Sequence, residues 1–193
     1  YTNRKTQKFS SLHAGGAPLV LVNIWDPGSA RTVVAAGAPA LSTGSASLAG
    51  ALGFGDGETV SPDVVLAHAA QIVACVDLPV SVDFEGGNSA TADGVAGNVV
   101  QVVARAAGIK LEDGYPAGDG EGLRPVENAV GRLKAARAAA DAVLSGFWIN
   151  ARTDICLGEP ETHGTQIADV IARGRAYAEA GASSFFVPGL RDL

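Results

Sequence analysis

A chain of 193 residues, 47% hydrophobic and 18% charged, holds enough apolar material for one packed domain, and it lacks the long polar runs of a disordered protein. Its formal charge of −6 argues against a nucleic-acid surface, which needs clustered Lys and Arg, although a metal and one well-placed Arg would still hold a small anion. No apolar run approaches the roughly 18 residues of a membrane span, and the N-terminus shows no signal-peptide core. Cys75 and Cys156 read as small buried hydrophobes rather than disulfide partners, so a reducing cytoplasm is the expected compartment.

In chain order, the segment before Gly15-Gly16 places Phe9 and Leu12 on one face and predicts a short helix. Residues 19–24 form a continuous apolar run of the kind buried on both faces of a parallel sheet. Residues 29–36 read as helix and residues 40–42 as a second strand. Ser61 before Pro62 marks a helix start, with Ser as side-chain cap and Pro at the first helical position, and this helix runs to about Cys75. Pro79 precedes a strand over residues 80–83. Residues 91–105 are helical, with two internal glycines that weaken continuity. Strand four covers residues 109–112. A Gly-, Asp- and Pro-rich loop to Arg124 leads into a helix over 125–144 and strand five over 147–152. A loop with Gly158 and Pro160, a helix over 165–180 and strand six over 184–187 complete the series.

Strands alternating with helices imply parallel βαβ units, which close either as an open doubly wound sheet or as a barrel. Periodicity does not choose between them. Polar residues end nearly every strand, at Asn23, Ser42, Asp83, Glu112 and Arg152, and a barrel assembles its active site from that rim. No G-x-G-x-x-G follows strand one, which disfavours a dinucleotide fold. The expected architecture is α/β, a (β/α)₈ TIM barrel in a single domain over residues 1–193, with about six of eight βα units present and the C-terminal units missing.

Asp83, Glu85 and Glu112 fall at the ends of strands three and four, and Asp56 lies in the long loop after strand two. Four carboxyl groups converging near a barrel axis repel one another and call for a cation. Oxygen-only ligands select a hard ion, Mg²⁺, with Mn²⁺ as a substitute. Asn150 and Arg152 alternate inward on strand five, where a guanidinium fork suits a carboxylate or phosphonate. Gly44, Ser45 and Ala46, behind Thr43, offer successive N–H groups for a substrate carboxylate. Each assignment has a plainer alternative. The carboxylates would cap helices, Arg152 would neutralise them, Lys110 would be an interior charge partner, Trp25 would pack, and Tyr115, a candidate proton donor, would be a lid residue. His13, His68 and His163 lie away from strand ends and receive no catalytic part.

The segments Asn23-Ile24-Trp25-Asp26-Pro27-Gly28-Ser29-Ala30-Arg31, Thr43-Gly44-Ser45, Leu52-Gly53 with Asp56-Gly57-Glu58, Val82-Asp83-Phe84-Glu85-Gly86-Gly87, Leu111-Glu112-Asp113 and Asn150-Ala151-Arg152-Thr153-Asp154 occur in order along nearly the whole chain. In this the chain resembles the isocitrate lyase and phosphoenolpyruvate mutase superfamily. The resemblance implies a (β/α)₈ barrel holding Mg²⁺ through Asp83, with Glu85, Glu112 and Asp56 helping directly or through water. It implies a small anionic 2-oxo or 2-hydroxy carboxylate as substrate, lined by Asn23 and Trp25, held by amides around Ser45 and Ala46, and reacting through a pyruvate-like enolate. Catalytic parts fall to Arg152, Glu112 and Tyr115. It also implies a homo-oligomer, dimer or tetramer, while charge and hydropathy lead to the expectation of no nucleic-acid or membrane partner.

The departures shape the expected activity. Lyases of the group carry a Lys-Lys-Cys-Gly-His type loop after strand four. Here the loop is Gly114-Tyr115-Pro116-Ala117-Gly118-Asp119-Gly120. Glu85 replaces the second aspartate of Asp-x-Asp, and Val187-Pro188-Gly189 ends strand six where the mutases have His. The first expectation is therefore a Mg²⁺-dependent lyase or hydrolase cleaving a C–C bond. The alternatives are a P–C bond mutase or hydrolase acting on phosphoenolpyruvate or phosphonopyruvate, and a non-catalytic barrel that binds metal and anion.

Overall fold

The computed structural model describes residues 2–120, 122–157 and 163–190. The elements, in order, are α1 Thr2–His13, β1 Val22–Ile24, α2 Pro27–Ala35, β2 Leu41–Thr43, α3 Ser45–Ala51, α4 Pro62–Ala74 and β3 Val80–Asp83. They continue with α5 Ala92–Val103, β4 Gly108–Glu112, α6 Val126–Val143, β5 Trp148–Arg152, α7 His163–Glu179 and β6 Ser184–Phe186. All strands are parallel and pair in sequence order, β1 to β6. The architecture is the expected α/β fold, six strands of a TIM-type barrel.

The strands alternate between an apolar and a polar face. Val82, Ile109, Leu111, Ile149 and Ala151 pack against Val95, Val99 and Val102 of α5 and Leu133, Ala136 and Ala140 of α6. Ile24, Leu41 and Val80 pack against Ala30, Ile72 and Val73. Burying each of the larger aliphatic side chains contributes about 1.5–3 kcal/mol. The other face carries Asn23, Ser42, Ser81, Asp83, Lys110, Glu112, Asn150, Arg152 and Ser184, alternate positions along the same strands. The chain thus turns a polar lining inward and its apolar residues toward the helices.

Helix α1 closes the end of the sheet where the strands begin. Phe9 is 1% exposed and stands edge-on to Trp148 at the start of β5, on which His13 stacks with centroids 4.1 Å apart. Lys5 Nζ, also on α1, donates to the Val76 carbonyl at 2.9 Å. The polar chemistry is left to the opposite mouth.

Several sequence expectations change. The first strand begins at Val22 rather than residue 19, and it is not buried on both faces, since Val20 is 69% and Val22 42% exposed. It pairs with β2 alone among the described residues, while Leu19 and Leu21 pack instead into the Phe9 cluster. Residues 45–51, expected to belong to the long loop after strand two, form α3, held by the buried Leu48 and Ala49. Ser61 makes no side-chain cap bond, and α4 starts on Pro62 with the Asp63 charge in its first turn. Helix α5 runs unbroken past Gly94 and Gly97 because Val95, Val99, Val102 and Val103 anchor it to the core and Thr91 Oγ1 accepts the Gly94 N–H at 3.1 Å. Cys75 and Cys156 are both free thiols. No helix among the described residues is long and apolar enough to cross a membrane.

Candidate active site

The polar face is richest at the C-terminal ends of β3, β4 and β5. In-register pairing sets Asp83 beside Lys110, Lys110 beside Asn150, and Glu112 beside Arg152. Asp83 is 4% exposed, and its Oδ2 accepts from Lys110 Nζ at 2.9 Å, from the Ser45 N–H at 3.1 Å and from Ser45 Oγ at 3.0 Å. The Asp83 N–H donates to Thr43 Oγ1 at 2.8 Å, so the end of β2 and the start of α3 grip this residue together. Its Oδ1 takes one long contact, 3.5 Å, from the Glu85 N–H.

Glu112 Oε2 lies 3.0 Å from Arg152 Nη1, and Arg152 Nε donates to Asp154 Oδ1. Burial pushes the Glu112 carboxyl up to about 8, against the opposing pull of Arg152. Burial also raises Asp154, with Arg152 opposing. On Arg152 burial works against the charge, but Glu112 and Asp154 outweigh it and the net shift is upward. Asn150 Oδ1 accepts from Ser184 Oγ at 2.9 Å, and Ser184 Oγ accepts from Trp148 Nε1 at 2.9 Å, a chain that fixes the interior of β5 and β6.

Glu85 sits just beyond β3 with a left-handed backbone, φ 51°, followed by Gly87 at φ 99° and Asn88 at φ 52°. Such conformations cost on the order of 1–3 kcal/mol each for non-glycine residues and persist only when their surroundings enforce them. The enforcement is visible. The Glu112 N–H donates to the Glu85 carbonyl at 2.9 Å, and Glu85 Oε1 accepts from the N–H groups of Gly57 at 3.1 Å and Glu58 at 2.7 Å. Gly87 is glycine for space as well, since a Cβ would lie 2.7 Å from a Val95 methyl. Arg132 of α6, 5% exposed, donates to the carbonyls of Gly86, Ser89 and Ala90. Burial raises the Glu85 carboxyl, opposed by the Glu58 amide, with Asp56, Asp83 and Glu58 adding to the rise.

The four carboxylates expected to share one cation are therefore spread out. Among the described residues no group of three or more His, Cys, Asp or Glu side chains lies close enough to hold a metal. Asp83 faces Lys110, Glu112 faces Arg152, Glu85 is turned to the loop amides, and Asp56 is exposed on that same loop. The repulsion invoked from sequence is relieved by two interior cations and by amide donors. Ser45 departs from expectation too, since both its N–H and its hydroxyl are spent on Asp83, leaving the exposed Ala46 beside them. Gly44 is buried against Asn23 and Ser47. The Tyr115 ring lies under the Arg124 guanidinium, 4.6 Å from its centroid, and against Gly120, so its described contacts are within its own loop.

Sequence reading missed several residues. Asp113, 1% exposed, accepts from Tyr177 Oη at 2.6 Å, Arg173 Nη1 at 2.9 Å and the Asp154 N–H at 3.1 Å, which ties α7 to the loops after β4 and β5. Its place next to Glu112 was the available signal. His68 lies on the buried stripe of α4 with Val65, Ala69 and Ile72, and its Nε2 meets the Trp25 carbonyl. With Trp25, Leu48 and Val60 they line a small apolar cavity of about 20 Å³ that reaches Ser45, Asp83 and Glu85, room for about one water. The 3–4 spacing of His68 with those apolar residues was legible, but its partner Trp25, 43 residues away, was not.

A family model described as phosphoenolpyruvate phosphomutase matches residues 9–193. The chain belongs to the phosphoenolpyruvate phosphomutase family. Within and around that family, an uncharacterised protein of Mycobacterium tuberculosis is 33% identical over 95% of this chain and 66% of its own length. Phosphoenolpyruvate phosphomutase of Streptomyces hygroscopicus is 32% identical over 91% of this chain and 56% of its own. A solved structure from Burkholderia cenocepacia J2315, provisionally assigned as a phosphonomutase, is 44% identical with a TM-score of 0.92, covering 98% of this chain and 77% of that one. The chain thus spans about two thirds or less of the curated relatives it matches. Structures of oxaloacetate acetylhydrolase, 2,3-dimethylmalate lyase and phosphonopyruvate hydrolase, the last with oxalate and Mg²⁺, share the fold at 24% identity and TM-scores of 0.83–0.85.

Proposed function

We propose that this chain forms the barrel of a Mg²⁺-dependent enzyme that cleaves a C–C bond beside the carbonyl of a small 2-oxo or 2-hydroxy carboxylate. The observation that carries the reading is the Asp83–Lys110 and Glu112–Arg152 array, two carboxylates and two cations in two successive inward-facing rows at one mouth. A polyanionic substrate and a hard cation together match such an array, and a purely structural one has no need of a strained Glu85 beside it. The donors fit Mg²⁺: they are oxygens only, Asp83 Oδ1 is nearly free, and water would complete the shell. Asp83 would hold the ion, with Glu85, Glu112 and Asp56 contributing through water. Bound there, Mg²⁺ would stabilise negative charge developing on the substrate carbonyl oxygen.

The chain's own groups do the rest. Ser45 and Thr43 fix Asp83 by side-chain and backbone bonds. Glu112 and Asp154 take Nη1 and Nε of Arg152, so the remaining guanidinium donors serve a substrate carboxylate. Asn150 and Asn23 offer neutral donors on the same face, Trp25 borders the small cavity, and Tyr115 on Arg124 belongs to the loop that would shield the mouth. On this reading the partners are a small dianionic acid and further copies of the chain.

P–C bond chemistry is the second reading, supported by the names of the Streptomyces hygroscopicus and Burkholderia cenocepacia relatives. The natural full-length protein, incubated with Mg²⁺ and oxaloacetate, 2-methylisocitrate, 2,3-dimethylmalate or phosphonopyruvate, separates them. A carboxylate fragment released by C–C cleavage is the expected product. Phosphoenolpyruvate or inorganic phosphate formed from phosphonopyruvate alone would establish the second reading, as mutase or hydrolase, and no turnover of any of them would leave a binding protein.

A further inference from the structure

The Asp83–Lys110 contact poses a problem for any divalent cation at Asp83. Three donors, Lys110 Nζ, the Ser45 N–H and Ser45 Oγ, converge on Oδ2 at 2.9–3.1 Å, where a carboxylate oxygen offers about two lone pairs. The Ser45 N–H is fixed by its place at the start of α3. Lys110 is the movable donor, an ammonium on a flexible four-carbon stem. Among the described residues its ammonium pairs directly with Asp83 and lies 5.8 Å from the centre of the Phe186 ring, with Glu112 and Asp154 acting on it at longer range, so leaving Asp83 gives up one ion pair and no backbone bond. The side chains are 13% and 3% exposed, so bulk water would screen little of the repulsion between an ammonium and an arriving divalent ion.

We propose that Lys110 couples metal binding to substrate binding: its ammonium neutralises Asp83 until ligands bind, and yields it to a divalent cation once a substrate anion is there to take the ammonium instead. The inference rests on the Mg²⁺ reading above and deepens it. It makes the substrate an acid with an anionic group within reach of Lys110, a carboxylate or phosphonate, in addition to the group held by Arg152. Metal alone meets a competing cation and binds weakly. Anion alone must draw Lys110 off Asp83 and leave a buried carboxylate uncompensated. Bound together, each relieves the other, and by linkage the factor by which the anion tightens the metal equals the factor by which the metal tightens the anion.

The test is calorimetric titration of Mg²⁺, with and without oxalate as the anionic probe, on the wild type, Lys110→Met and Lys110→Gln. Circular dichroism checks folding of both variants; Met keeps the length of the stem and Gln keeps a polar end, so a packing fault in one does not remove the test. The expected result is that the variants bind Mg²⁺ alone about tenfold tighter than the wild type, while the factor by which oxalate tightens Mg²⁺ drops by a similar amount. Oxalate ligates Mg²⁺ directly, so a residual factor remains. Wild-type Mg²⁺ binding with variants no tighter, or with an unchanged oxalate factor, would overturn the proposal and leave Lys110 as a structural ion pair. Absence of Mg²⁺ binding in all three proteins, with and without oxalate, would sink the Mg²⁺ reading and this inference with it.

Discussion

Arg152 has its Nη1 on Glu112 and its Nε beside Asp154, which holds the planar fork in one orientation. A lysine keeps the charge but reaches only one of these carboxylates and has no second donor in the same plane. If the fork also receives substrate, Arg152→Lys loses a charge-assisted bond worth roughly 1.5–3 kcal/mol, so kcat/KM falls about tenfold to more than a hundredfold. Mg²⁺ affinity changes little, because lysine keeps the positive charge and the hydrogen bonds lost are to Glu112 and Asp154 rather than to Asp83. Steady-state kinetics on the substrate found by screening, paired with Mg²⁺ titration, checks this; equal turnover would remove Arg152 from substrate binding. At this scale the sequence was informative about which side chains stand at the strand ends and poor about what they touch. Asp83, Glu112 and Arg152 were legible from their strand-end positions alone. Ser45 on Asp83 bridges 38 residues and Asp113 to Tyr177 bridges 64, separations over which no local pattern operates.

Among the elements, the connection from β3 to α5 is the most constrained. It carries three left-handed residues within four positions, Glu85, Gly87 and Asn88, and α6 secures it through one side chain, Arg132, bonded to three of its carbonyls. Burial and the Arg124 charge bring the Arg132 guanidinium down to about 10, still cationic at neutral pH. Arg132→Met would leave the carbonyls of Gly86, Ser89 and Ala90 short of their donor, at a cost of about 2–3 kcal/mol. For a chain of this size that corresponds to a drop in Tm on the order of 5–10 °C. Because Glu85 leads into this connection, the variant should also weaken Mg²⁺ binding, and thermal melting with Mg²⁺ titration reads both effects. An unchanged Tm would mean that Gly87, Val95 and the loop amides suffice. The helices and strands themselves were legible from alternation and from Pro and Gly punctuation. Helix α3 was not, because Ser-Ala-Ser-Leu-Ala-Gly-Ala has the composition of a turn and becomes a helix only by burying Leu48 and Ala49.

The whole molecule is a six-stranded section of a barrel with an apolar outside and a charged inside, and that inside makes its stability depend on pH in an unusual direction. Burial raises Glu112, to about 8, and also raises Glu85 and Asp154 above ordinary carboxyl values. A carboxyl raised in the native state is protonated in both states at low pH. Between its unfolded value, near 4.5 for Glu, and its native one, it stays protonated only when folded. Over that window the native chain binds more protons than the unfolded chain, so stability falls as pH rises. In the presence of a chelator, Tm should therefore decline by a few degrees from about pH 5 to about pH 8, where an ordinary globular protein is near its optimum. Mg²⁺ at the mouth favours the ionised carboxylates, so its stabilising effect should grow across the same window and offset much of the decline. Glu112→Gln cannot titrate and should flatten the chelated profile. Melting curves at pH 5, 6, 7 and 8, with chelator or with Mg²⁺, for the wild type and Glu112→Gln, provide the measurement. A wild-type Tm that rises from pH 5 to pH 8 under chelator would show that Arg152 and Lys110 keep these carboxylates ionised without a metal, and that the interior charges are balanced by the chain alone.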